Sequence, residues 1–100
     1  EVKENKIIFI HSGHEDSEEV YVVGNFIDWE AGKEGWEMQY DEERGAWLLE
    51  KSKDKIKEES SPIYEFTFIV DGEWLDADRD SNNVIHCPGY GFRYTIPELR

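Results

Sequence analysis

Apolar residues in this chain come in short runs broken by charged or Gly-containing stretches, a pattern of strands rather than helices. Ile7-Ile8-Phe9-Ile10, bounded by Lys6 and by His11-Ser12-Gly13, predicts a first strand. The polar stretch from Ser12 to Glu19 predicts a turn, and Val20 to Val23 a second strand ending at Gly24. Asp28 to Glu37 is rich in glycine and charge and reads as a loop carrying Trp36. Asp41-Glu42-Glu43-Arg44-Gly45 predicts a hairpin turn between Met38-Gln39-Tyr40 and Ala46-Trp47-Leu48-Leu49. Lys51 to Ser61 lacks a clean apolar period and reads as an extended loop with room for one helical turn.

Ile63 to Val70 is the strongest strand in the pattern. Alternation sends Tyr64, Phe66, Phe68 and Val70 to one face, expected to be core. Glu65 and Thr67 take the other, expected to face solvent or ligand. Asp71-Gly72 predicts a tight turn before Glu73-Trp74-Leu75. Val84-Ile85-His86 and Phe92 to Ile96 supply the last strands. Seven or so short strands at a spacing of about 8–12 residues, with turn signals between them, predict an all-β antiparallel sandwich. One hundred residues give one domain, 1–100, with no room for a second core.

Two tryptophans stand apart in this pattern. Trp29 follows the strand Val20–Val23 and the Gly24-Asn25-Phe26-Ile27-Asp28 turn; Trp74 follows Ile69-Val70 and Asp71-Gly72-Glu73. Tryptophans placed just past turns sit at the rim of a sheet, and a pair of them offers a flat aromatic surface. Such a surface suits the apolar face of a pyranose, whose hydroxyls stay wet at the edge. Trp47 lies inside an apolar strand and reads as core, while the loop position of Trp36 leaves its role open.

Composition narrows the partners. Aromatics make up 14% of the chain, too many for a disordered segment. Against 24 acidic residues stand 11 basic ones, a net charge of −13 that repels phosphate backbones and anionic lipids. Nucleic acid and membrane surfaces are therefore not expected partners, whereas a neutral glycan feels little of this field. Cys87 is the only cysteine, so no internal disulfide forms, which fits a reducing cytoplasmic compartment. No apolar run approaches the ~18 residues of a membrane span.

With the strands placed, an ordered set of motifs emerges. Gly24-Asn25-Phe26-Ile27-Asp28-Trp29 comes first, then Trp36-Glu37-Met38 with Asp41-Glu42-Glu43-Arg44-Gly45-Ala46-Trp47, then Tyr64-Glu65-Phe66-Thr67-Phe68-Ile69-Val70-Asp71-Gly72-Glu73-Trp74. This set resembles carbohydrate-binding module family 48, the family of the glycogen-binding domain of the AMP-activated protein kinase beta subunit and of the amino-terminal domains of isoamylases and branching enzymes. The resemblance covers roughly residues 19–96 and implies an immunoglobulin-like, early-set β-sandwich that binds α-glucans. It places the two sugar-stacking rings at Trp29 and Trp74; beside them Thr67, Tyr90 and Asn25 are expected to help hold the glucan. The family's lysine on the long strand is replaced here by Thr67, and its late asparagine by Phe92. The expected partner is an α-glucan polysaccharide or oligosaccharide. The alternative is a structural or interaction domain that docks on a partner protein or a fused glucan-active enzyme.

Other chemistry is poorly supplied. His11-Ser12-Gly13-His14-Glu15-Asp16 lacks the second ligand pair of a structural zinc site and reads as a solvated turn. Asp76-Ala77-Asp78-Arg79-Asp80-Ser81-Asn82 imitates a calcium loop but has Ser81 at the glycine position and Cys87 at the closing glutamate. Nucleophile elbows, P-loops and dinucleotide fingerprints are absent. The chain is expected to be non-enzymatic, with no metal and no cofactor.

Overall fold

The fold is described from a computed structural model, which covers residues 2–3, 5–57, 63–78, 81, 83–87 and 91–96. In chain order the strands are β1 (Val2–Lys3), β2 (Lys6–Ser12), β3 (Val20–Gly24), β4 (Gln39–Asp41) and β5 (Ala46–Ser52), then β6 (Glu65–Val70), β7 (Glu73–Trp74), β8 (Val84–Cys87) and β9 (Gly91–Thr95). A 3-10 turn spans Asn25–Ile27 and one helical turn, α1, spans Lys53–Lys57. The segment read as a loop from Lys51 therefore begins as strand: β5 runs on through Lys51 and Ser52, paired with Ile7 and Lys6.

Two antiparallel sheets face each other. One runs β1-β2-β5-β4; the other runs β3-β6-β9-β8, with β7 returning as a hairpin onto β6. Taken in chain order, these are the A-B-E-D and C-F-G arrangements of an immunoglobulin-like sandwich, with β8 added beyond the last strand. Sequence neighbours pair in β1–β2, β4–β5, β6–β7 and β8–β9, while β2–β5, β3–β6 and β6–β9 join strands whose connections leave the sheet or skip a neighbour.

The core between the sheets is aromatic. The Phe9 ring meets Phe66 edge-on at 4.9 Å, Phe26 at 6.1 Å and Trp36 edge-on at 6.2 Å, geometries that suit the ring quadrupoles. Trp36 is buried, which settles its role as core. The loop that carries it folds back on β3: the Val22 N–H donates to the Trp36 carbonyl at 3.0 Å, and the Met38 N–H to the Val20 carbonyl at 2.7 Å. These bonds cover the free edge of β3, which would otherwise be open to strand pairing. Trp47 is also buried, with its indole N–H donating to the His14 carbonyl at 3.1 Å.

Gly24 sits where β3 meets the 3-10 turn. A Cβ there would lie 2.5 Å from the Glu65 carbonyl and 2.6 Å from the Phe26 ring. The small residue thus lets β3 and β6 close together while Phe26 tucks beneath. Asp71-Gly72 forms the hairpin turn expected of it, with φ of 48° and 85°, as a type I′ turn requires. No described helix is long and apolar enough to cross a membrane.

Candidate functional site

The outer face of the second sheet builds the site. Cross-strand pairing puts Tyr21 opposite Ile69, Val23 opposite Thr67, and Ile69 opposite Trp74, so these side chains share one face. Thr95 pairs with Glu65, which places Arg93, two residues earlier in β9, on that face as well. Phe92 and Tyr94 take the opposite one, and Tyr94 stacks on Phe66 at 5.3 Å inside the sandwich.

Trp29 reaches the same face from the 3-10 turn. The Asp28 N–H donates to the Asn25 carbonyl at 3.3 Å and the Trp29 N–H to the Gly24 carbonyl at 2.9 Å. This double bond pattern is that of a Schellman cap, with Asp28 in the left-handed position usually held by glycine. Trp29 is left-handed too, at φ 56° against 54° for Asp28. For a residue as bulky as tryptophan this conformation is a genuine outlier, costing on the order of 1–3 kcal/mol. The surrounding bonds impose it, and the result is an indole turned onto the sheet.

There Trp29 meets Trp74. Their ring centroids are 6.3 Å apart and their planes are tilted by 35°. Trp74 is 44% exposed, one of two large hydrophobic residues in the exposed class among the described residues; Trp29 is half-buried. The Arg93 guanidinium lies 5.7 Å from the Trp29 ring, and its Nη1 donates to the Phe92 carbonyl at 3.0 Å and sits 3.6 Å from Asp76. A guanidinium over an indole face is a favourable cation–π arrangement. Arg93 thus backs the aromatic pair. Its alternation with the apolar Phe92 and Tyr94 is the sequence signal that could have found it.

The polar contacts expected beside the two rings are differently engaged. Thr67 does not face solvent or ligand: it is fully buried, and its hydroxyl donates to the Leu75 carbonyl at 2.6 Å. The physical reason is that this face is roofed by Trp29, Trp74 and Arg93, so Val23, Thr67 and Ile69 beneath are 0%, 0% and 4% exposed. Asn25 is a clamp rather than an open contact. Its amide N–H donates to the Ile63 carbonyl at 2.8 Å, and its carbonyl oxygen accepts the Glu65 N–H at 3.0 Å. It ties the turn that carries Trp29 to the start of β6. Phe92 lies 5.0 Å from His86, its cross-strand partner, on the face away from the tryptophans. Tyr90 lies outside the described residues.

The turn below Trp74 is held from the other side. The Asp71 carboxylate accepts the Glu18 and Glu19 N–H groups, each at 2.9 Å, which holds its pKa below the ordinary aspartate range. Asp28, Glu30 and Glu73, the chain neighbours of the two rings, are exposed carboxylates. A ligand at this surface therefore meets aromatic faces flanked by hydrogen-bond acceptors, which suits a neutral polyol and repels an anion. Among the described residues no cluster of three or more His, Cys, Asp or Glu side chains is placed to hold a metal ion. No family model matches this chain, and no match is found among curated proteins or solved structures.

Proposed function

We propose that this domain is a non-catalytic α-glucan-binding module of the family 48 type, stacking sugar rings on Trp29 and Trp74. The observation that carries the reading is the convergence of these two indoles, 45 residues apart in sequence, into one tilted pair with Trp74 left open. Two ring planes inclined by 35° favour a chain that turns between successive sugars, as α-linked glucans do, over a flat ribbon. The ordered motifs around both tryptophans support the same family.

The affinity follows from what the site lacks. Thr67 and Asn25 make their hydrogen bonds inside the protein, so stacking carries the binding. Each hydrogen bond forgone is worth about 1 kcal/mol. A complex held chiefly by two stacked rings belongs near −4 kcal/mol, or on the order of millimolar.

The same engagement of Thr67 and Asn25 favours a second reading, in which the aromatic pair docks on a partner protein or a neighbouring catalytic domain. Tryptophan fluorescence during titration with maltoheptaose or β-cyclodextrin separates the two. A saturable change in the wild type, kept in Trp74→Phe and lost in Trp74→Ala, supports the glucan. Silence at tens of millimolar sugar rejects it and leaves the docking reading.

A further inference from the structure

The turn between β2 and β3 holds a second constellation, which sugar stacking does not use. His11 Nε2 and His14 Nδ1 are 2.9 Å apart, with ring planes inclined by only 15° and centroids 5.1 Å apart. The centroid separation exceeds the nitrogen separation by about one ring width. The imidazoles therefore meet edge to edge and nearly coplanar, with one N–H aimed along the line at the other nitrogen. A metal on that line would need about 4 Å between the nitrogens, two bonds of about 2 Å each, so the spacing is that of a shared proton.

Both ends of the turn are tied to the sandwich. The His11 ring is half-buried and lies 4.8 Å from Phe68. The His14 carbonyl accepts the Trp47 indole N–H at 3.1 Å and the Ser17 N–H at 3.0 Å. The Glu18 and Glu19 N–H groups then bind Asp71, whose own N–H returns to the Glu19 carbonyl at 2.8 Å. Gly13 and His14 both have positive φ, 89° and 54°, so the turn is held in its shape by these ties.

We propose that His11 and His14 form a proton-operated latch: the pair stays closed when it carries no extra proton or one, and the second proton parts the rings and frees the turn. A neutral pair is joined by one N–H···N bond, and a singly charged pair by a stronger, charge-assisted one. A doubly charged pair has two donors facing each other and no acceptor, beside an apolar wall. The groups around it set the balance. Asp71 faces His14 from the β6–β7 turn, Glu15 and Asp16 follow it in the loop, and Asp76 and Asp78 line the cleft that His11 borders. From β5 and β6 come only the uncharged Trp47 and Phe68. Burial of its ring, and then the neighbouring His14, hold the His11 pKa below the ordinary histidine value. Because Asp71 leads through Gly72 and Glu73 to Trp74, an open latch loosens one ring of the aromatic pair; this consequence alone rests on the glucan-binding reading.

Side-chain nitrogen NMR of the histidines from pH 8 to 4.5, without sugar, tests the latch. The expected result is two coupled steps separated by at least about tenfold in proton affinity. The Trp47 indole N–H should stay protected through the first and exchange about tenfold faster, after correction for intrinsic rate, at the second. His14→Asn tolerates the left-handed backbone and does not titrate, and should abolish the pH-dependent step at Trp47. Independent single-site titration of the two rings, or a Trp47 step that persists in His14→Asn, overturns the proposal. Both outcomes are read without sugar, so neither decides whether Trp29 and Trp74 bind it.

Discussion

The four tryptophans divide into two pairs that the protein uses in opposite ways. Trp36 and Trp47 are 6% and 7% exposed, and each is fixed from outside: Lys51 Nζ lies 4.7 Å over the Trp36 ring, and the Trp47 indole N–H is bonded to His14. Trp29 and Trp74 lie on the outer face of the β3-β6-β9 sheet, fixed to each other and to Arg93, with Trp74 open. The first pair closes the sandwich. The second adds a thin third layer, burying Thr67 and Ile69 beneath it while keeping a face toward solvent. Residue type alone therefore does not distinguish a core tryptophan from a surface one; what surrounds the indole N–H and the ring face does.

Substitutions should separate the pairs. The largest effect belongs to Trp36→Ala, expected to cost about 3–5 kcal/mol by leaving a void against Phe9 and Phe26. Denaturant unfolding reads this, and a cost below about 1 kcal/mol would remove Trp36 from the core. Next comes Gly24→Ala, where the added methyl meets the Glu65 carbonyl and the Phe26 ring that help seat Trp29. Overpacking at this close strand contact should cost about 1–3 kcal/mol. The backbone at Gly24 is extended, so the cost is one of space and not of φ.

Thr67→Val tests the roof. If the hydroxyl serves the Leu75 carbonyl, its removal costs about 1 kcal/mol of stability. If it serves a ligand, melting is unchanged and only binding falls. The smallest effect depends on pH. Asp71 has a folded-state pKa below that of an ordinary aspartate, near 3.9, because it accepts the Glu19 and Glu18 N–H groups. Its contribution is complete above about pH 4 and is lost as pH falls through the lowered folded value. Asp71→Asn, which keeps the left-handed turn, should melt lower than the wild type above about pH 4 and converge on it in acid, which flattens the acid limb of the melting-temperature profile. An identical acid limb in both proteins would mean the carboxylate has no such role.

Much of the fold was legible because strand periodicity is local. Ile7–Ile10, Val20–Val23 and the alternating Tyr64, Phe66, Phe68 and Val70 all fall where the pattern puts them, and Asp71-Gly72 turns as its chemistry demands. What the pattern leaves unread depends on contacts distant in sequence. Alternation rightly puts Thr67 on the outer face, but what covers that face is decided by segments far away in sequence, here Trp29 and Arg93. Asn25 looked available because its partners, Ile63 and Glu65, lie 38 and 40 residues further on. Trp36 sat in a stretch without periodicity, and only its return along β3 makes it core.

The contrast between the two pairs is itself a spectroscopic test of glucan binding. Each indole N–H gives its own resonance, so a maltoheptaose titration followed by nitrogen-15 NMR reads all four tryptophans at once. Glucan binding at the open pair predicts saturable shifts at Trp29 and Trp74 with millimolar affinity, with Trp36 and Trp47 unmoved. Shifts at the buried pair with none at Trp29 and Trp74, or no shift anywhere at tens of millimolar sugar, would contradict it.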